Sequence, residues 1–165
     1  MNTAQRPEDG CLVGDSDLTE HMWRQHAPAA VRLASLLAGP CDAYDIVATA
    51  FMRVTRAPGW AGLARPRAYL LRSVVNEAHN EHRRRQRRWR RDLAAITADV
   101  SPAAETDVDL IRQIARLSVH QRAVVYLTYW EDMTETAIAE LLGLSAGTVH
   151  RTLDRARSTL RKALQ

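Results

Sequence analysis

Long hydrophobic runs are missing from this 165-residue chain. Nothing approaches the roughly 20 apolar residues that a membrane-crossing helix needs, so no membrane insertion is expected. The first twenty residues lack the basic start and apolar middle of a signal peptide. Cysteine is scarce: Cys11 and Cys41 are too few for a disulfide framework and lack metal-ligand spacing, so a reduced, cytoplasmic chain is expected. Aromatic residues are scarce too, with one Phe, four Trp and four Tyr. A core must then come mostly from Ala, Leu, Val and Ile, which suits packed helices better than sheets. No phosphate loop, nucleophile elbow or paired-carboxylate pattern appears, so the chain is not expected to be an enzyme. His79 and His82 lie near Glu77 and Glu81 without a third convergent ligand, so no metal or cofactor is expected.

Arginine is what the chain has in excess. Lys162 is its one lysine, the other 22 of its 23 cationic residues are Arg, and the net charge is +4. Position matters more than the total: residues 1–20 sum to −4, 21–91 to +10, 92–110 to −5, 111–142 to −1 and 143–165 to +4. Two basic blocks separated by an acidic stretch suggest two contacts with a polyanion.

The apolar spacing divides the chain into two small all-α domains. Residues 1–17 read as a mobile tail without sustained periodicity. Residues 18–91 carry three helical patterns. The first runs from Leu18 and ends at Gly39-Pro40, the second opens with Asp42 as N-cap, and the third starts at Pro66 after a breaker-rich loop, Ala57–Gly62. That third helix runs into Arg83–Arg91, where seven of nine residues are Arg. Residues 92–109 read as an acidic linker, with a short helical turn near Leu93–Ile96, able to span about 60 Å. Residues 110–165 then give a short amphipathic helix to Leu117, a capping box at Ser118–Gln121, and helices over Thr134–Leu142 and from Ser145 to about Ala163.

Residues 134–149 fit a helix-turn-helix. Ala139 is small where the helices cross, Gly143 suits a turn of positive φ, Ser145 caps the second helix, and Val149 with Leu153 packs onto Ile138 and Leu142. The outward face offers Ser145, Gly147, Thr148, His150, Arg151 and Arg155 to a duplex. Short polar groups reach base edges and Arg reaches guanine or phosphate. An ordinary helical hairpin with a solvated basic face is the bland alternative.

Taken with the upstream block, this unit resembles the small sigma factors of bacterial RNA polymerase, the extracytoplasmic-function group of the sigma-70 family. Leu117–Leu127 followed by the helix-turn-helix looks like region 4, the reader of the −35 element. Asp42–Val54 is similar to region 2.2, and Arg67–Asn80 followed by the Arg run looks like regions 2.3 and 2.4, which handle the −10 element. The resemblance implies docking on core RNA polymerase through Asp42, Asp45, Ile46, Val47 and Phe51. It also implies −10 contacts by Trp60, Tyr69, Asn76, Asn80, Arg83, Arg84 and Arg87. There, aromatic and amide groups would capture a flipped base while Arg holds the phosphates. Promoter DNA and an anti-sigma factor are further partners that it implies. The sequence departs from the family at Tyr44, Ala48 and Thr49, where acidic residues or Gln are usual.

Two rival readings remain at this point. One is a helix-turn-helix regulator that acts without replacing a sigma subunit and has no use for Asp45 or Phe51. The other is an interaction protein that works through the Arg run and tolerates loss of residues 111–165. On the sigma reading, two domains must reach elements about two helical turns apart, ~70 Å. The free chain should then bind promoters poorly, because a loose linker leaves the domains unregistered.

Overall fold

The structure, a computed structural model, describes residues 12–92 and 113–163. The start of the tail, nearly all of the acidic linker and the turn expected near Leu93–Ile96 lie outside the described residues. Six α-helices carry the described fold: α1 (Leu12–Ala38), α2 (Pro40–Thr55), α3 (Pro66–Asp92), α4 (Val119–Tyr129), α5 (Glu135–Leu142) and α6 (Ala146–Ala163). A 3₁₀ turn, Trp60–Gly62, precedes α3, and residues 113–116 are helical. There is no strand among the described residues.

Two boundaries differ from the sequence reading. Helix α1 begins at Leu12, inside the segment expected to be tail. Once packing has nucleated a helix, each added residue costs little, and the lone Gly14 is too weak a breaker to stop it. Helix α2 starts at Pro40 behind Gly39 (φ 92°), so Asp42 is not the N-cap but lies in the first turn. Proline at the first helical position arrives with the right φ and without an amide to satisfy, which moves the start three residues upstream. The remaining termini follow local chemistry as expected. Ser118 accepts from the Gln121 amide at 3.2 Å while Gln121 accepts from the Ser118 amide at 2.8 Å. Thr134 caps α5, and Gly143 turns the chain at φ 68°. A Cβ at Gly143 would stand 3.2 Å from the Arg72 guanidinium, so both backbone conformation and space favour glycine there.

Each domain has its own core. Leu33, Leu37, Val47, Val54, Leu70, Val74 and Val75 are buried among α1, α2 and α3. Val124, Leu127, Ile138, Val149 and Leu153 are buried among α4, α5 and α6. The two cores are continuous, because α4 packs on α1 and α3, and α5 packs on α3. The domains are therefore docked on each other rather than joined by the linker alone, which corrects the expectation of unregistered bodies.

Two hydrogen bonds fix that docking. Tyr126 Oη donates to the Ala29 carbonyl at 3.3 Å, and Arg122 Nη1 donates to the Leu36 carbonyl at 3.1 Å. The Leu36 carbonyl is available because its normal partner, four residues on, is Pro40, which has no amide hydrogen. A cation is the best substitute donor at the negative end of a helix.

Replacing Arg122 by Met, which keeps the apolar stem and removes the donor, is expected to weaken docking by about 1–3 kcal/mol. Small-angle scattering should show a larger radius of gyration, and far-ultraviolet dichroism should show unchanged helicity. An unchanged radius would mean that the apolar contact alone holds the domains.

Candidate nucleic-acid interface

The third helix sorts its polar residues by face. Tyr69, Asn76, Asn80, Arg83 and Arg87 recur at seven, four, three and four residues, which places them within about 60° of one another around the axis. The opposite side buries Leu70, Leu71, Val74, Val75 and Ala78, so the stripe faces outward. Tyr69 is 43% exposed, Asn76 is exposed and Asn80 is half-buried.

Arg84 sits at the margin of this stripe and is held inward. Glu77, a buried carboxylate, lies 3.2 Å from Arg84 and 2.9 Å from Arg53 of α2. Glu81 is 3.5 Å from Arg84, 3.7 Å from Arg85 and 2.6 Å from Arg88, and Arg85 also pairs with Asp42. Acidic residues on one face thus engage part of the Arg run and tie it to α2. Arg84 and Asp42, expected at DNA and polymerase respectively, are partners in this network. The side chains of Arg90 and Arg91 lie outside the described residues.

Trp60 is half-buried and packs against the hydrophobic core from the 3₁₀ turn. Phe51 is also half-buried and meets Trp23 edge-on, with centroids 4.9 Å apart.

Helix α2 separates its faces as sharply. Ile46 and Val47 are 3% and 0% exposed, so neither presents a surface for direct docking. The apolar spacing that drew attention to them serves the domain core. The outward side carries Cys41, Tyr44, Asp45, Ala48, Thr49 and Met52, with Tyr44 68% exposed. A cavity of about 420 Å³ continues that surface, lined by Thr49, Met52, Arg53, Arg56 and Ala57. Of these, Asp45 alone was among the residues expected to dock, although all are the helical complement of the buried positions.

In the helix-turn-helix, Ser145 Oγ accepts from the Thr148 amide at 3.2 Å and lies 2.8 Å from its hydroxyl. Gly147, His150, Arg151 and Arg155 are exposed, and Thr148 is half-buried. Arg151 and Arg155 have no ion pair among the described residues. His150 lies between Glu135 and Asp154.

The junction between the domains is polar at its edges. Arg67 pairs with Glu131, and Arg65 lies 3.6 Å from Glu140. Beside them opens a cavity of about 490 Å³, with His26, Arg65, Arg67 and Glu131 on a floor that includes Leu71, Met133 and Leu141. On the other side His79 of α3 meets His120 of α4 edge-on, with centroids 5.0 Å apart. Burial lowers the pKa of both His79 and His26; His120, Arg83 and His82 add to the effect on His79, and Arg67 and His21 to that on His26.

Residues 22–88 match the Sigma-70 region 2 family and residues 107–160 the Sigma-70, region 4 family. The chain is 36% identical over 136 residues to the RNA polymerase sigma-E factor of Streptomyces avermitilis, covering 79% of this chain and 75% of that protein. It is 30% identical over 168 residues to the ECF RNA polymerase sigma factor SigL of Mycobacterium tuberculosis, covering 94% of both. Among solved structures, the sigma factor RpoE in complex with the anti-sigma factor NepR, from Bartonella quintana, shares the fold. Its TM-score is 0.68 at 22% identity, over 88% of this chain and 95% of that one.

Docking of the domains is expected to weaken in acid. Across the junction His120 helps to lower the His79 pKa, so this contact favours the docked state above the ordinary value of 6.5, and the preference is lost as pH falls from there through the lowered value. Small-angle scattering of the free chain should therefore show expansion below about pH 6.5. A His79→Gln variant should expand less on acidification, and a radius independent of pH in the native protein would count against this linkage.

Proposed function

This chain belongs to the sigma-70 family of RNA polymerase sigma factors, in its extracytoplasmic-function group, and on that premise we propose where its surfaces meet polymerase and promoter. Its function is to bind core RNA polymerase and direct promoter-specific initiation, as a subunit that supplies recognition and no catalysis of its own. The outer face of α2, with Asp45 joined by Tyr44, Ala48, Thr49 and Met52, docks on the polymerase. Asp42, Ile46, Val47 and Phe51 shape that face from behind. The α3 stripe of Tyr69, Asn76, Asn80, Arg83 and Arg87 handles the −10 element, with Arg84 and Trp60 fixing its borders. Ser145, Gly147 and Thr148 set the start of α6 against the −35 element, where Arg151 and Arg155 meet base edges or phosphates.

The observation that carries this reading is the presence, in one chain and in this order, of both sigma regions, each with an exposed polar stripe opposite its own buried face. A helix-turn-helix regulator acting alone needs the second region only. The protein is proposed to work in the cytoplasm, where polymerase and promoters are. An anti-sigma factor is proposed as a further partner, by analogy with the RpoE–NepR complex.

The docked domains must separate before they reach elements about 70 Å apart. Polymerase is proposed to select the separated state, and the free chain to bind promoters weakly.

The test is initiation by sigma-free core polymerase supplied with this protein and a pool of genomic promoters. Specific start sites are expected. Tyr44→Ala combined with Asp45→Ala should reduce polymerase affinity about tenfold with helicity intact. Asn80→Ala with Arg83→Ala should leave polymerase binding unchanged and lower open-complex formation about tenfold. Recognition of one duplex operator by the isolated chain, without affinity for polymerase, would reverse the assignment.

A further inference from the structure

On the recognition helix, the His150 ring stands between two carboxylates that come from different helices. Its Nδ1 is 3.1 and 3.2 Å from the two carboxylate oxygens of Glu135, in the first turn of α5. Its Nε2 is 3.2 Å from Asp154, one turn further along α6. An ionised carboxylate only accepts hydrogen bonds, and a neutral imidazole has a single N–H to give. A neutral ring would therefore turn a lone pair toward one of the two acids. The imidazolium donates to both.

The surrounding charges agree with that state. The hydrogen bond to Glu135, followed by the charges of Asp154 and Glu135, holds the His150 pKa above its ordinary value, against smaller opposing effects of burial and Arg157. Arg157 is itself held: it donates to Tyr129 Oη at 2.9 Å, lies over that ring and stands 3.8 Å from Asp154. It is therefore a poor substitute for the imidazolium between the acids.

We infer that His150 is a positioning residue whose imidazolium clasps Glu135 and Asp154 together, so that Arg151 and Arg155 approach the −35 duplex without two bare carboxylates beside them. The inference rests on the −35 reading proposed above. It replaces a direct DNA contact by His150 with an electrostatic one exerted through its neighbours. Protonated, the three groups sum to one negative charge; deprotonated, they sum to two. Because the pKa is raised, the clasp is complete at low pH and is lost as pH rises through the raised value. Phosphates near the site favour the protonated ring further, so duplex binding and proton uptake reinforce each other.

The test uses holoenzyme assembled from core polymerase and the full chain, with promoter probes that carry or lack a −35 element, between about pH 6 and about pH 9. The affinity gained from the −35 element is expected to fall roughly fivefold to tenfold as pH rises. His150→Gln should hold it at the low level throughout, and Glu135→Gln with Asp154→Asn should hold it at the high level throughout. Parallel pH profiles for the native protein and His150→Gln would overturn the inference, as would a native profile retained by the double variant. Nuclear magnetic resonance titration of His150 in the free chain gives a reading independent of polymerase. A pKa above the ordinary range that returns toward it in the double variant supports the clasp, and one at or below that range overturns it. Equal binding of the two probes by holoenzyme would instead sink the −35 reading, and the titration would still judge the clasp.

Discussion

A single carbonyl at the end of α1 organises the relation between the two halves of this protein. Gly39-Pro40 stops the helix and leaves the Leu36 oxygen without its usual amide, and Arg122 reaches across from α4 to supply the missing donor. The contact is not comfortable for the cation. Burial lowers the Arg122 pKa, and its Nε is buried without a hydrogen-bond partner. A partly satisfied buried guanidinium adds little net stability, so the apolar surface around it must supply most of the attraction. What the hydrogen bond contributes is register: with Tyr126 on the Ala29 carbonyl, it selects one relative placement of α4 on α1. An interface whose polar contacts specify more than they stabilise is one that a larger partner can open.

The same tension between charge and position explains the arginine content. A helix crowded with guanidinium groups repels itself, and this one is relieved by few acids. Glu77 and Glu81 draw Arg84, Arg85 and Arg88 toward α2, where Asp42 waits and where Arg53 shares the buried Glu77 carboxylate. The acids therefore determine which cations are left to face outward. Reading the Arg run as an undifferentiated phosphate clamp misses this division, because it follows from helical phase and from a neighbouring helix, not from composition.

Much of the fold was legible because it rests on local rules. The capping box at Ser118, the cap at Ser145, the glycine at 143 and the start of α3 at Pro66 each depend on chemistry within a few residues. Helix α6 and its outward residues follow from the same short range. What was not legible has two physical causes. Ile46 and Val47 look equally suited to a core or to a docking face, and a one-dimensional pattern cannot say which partner arrives first; here the core takes them, and Tyr44, Asp45, Ala48, Thr49 and Met52 form the exposed face of α2. The contact between domains involves residues 86 and 97 positions apart, and nothing near Arg122 or Tyr126 distinguishes them from ordinary helix residues.

Docking and separation make opposite demands on the charges at the junction. Arg65 and Arg67, at the entrance to α3, are engaged by Glu140 and Glu131 of the other domain, and the Arg72 guanidinium lies against the turn at Gly143. In this state, carboxylates of the second domain occupy cations at the near end of α3. Separation exposes both partners at once: the arginines gain solvent and polyanion, and Glu131 and Glu140 lose their counterions. Any ligand that favours the separated form by contacts made only there shifts the population by its difference in affinity for the two forms, no more. The outer face of α2 is already exposed in the docked state, so a partner that meets this face alone supplies no such difference; separation needs contacts with surfaces that docking covers. On the proposed function, initial capture and later separation are therefore distinct steps, carried by different surfaces of one small chain.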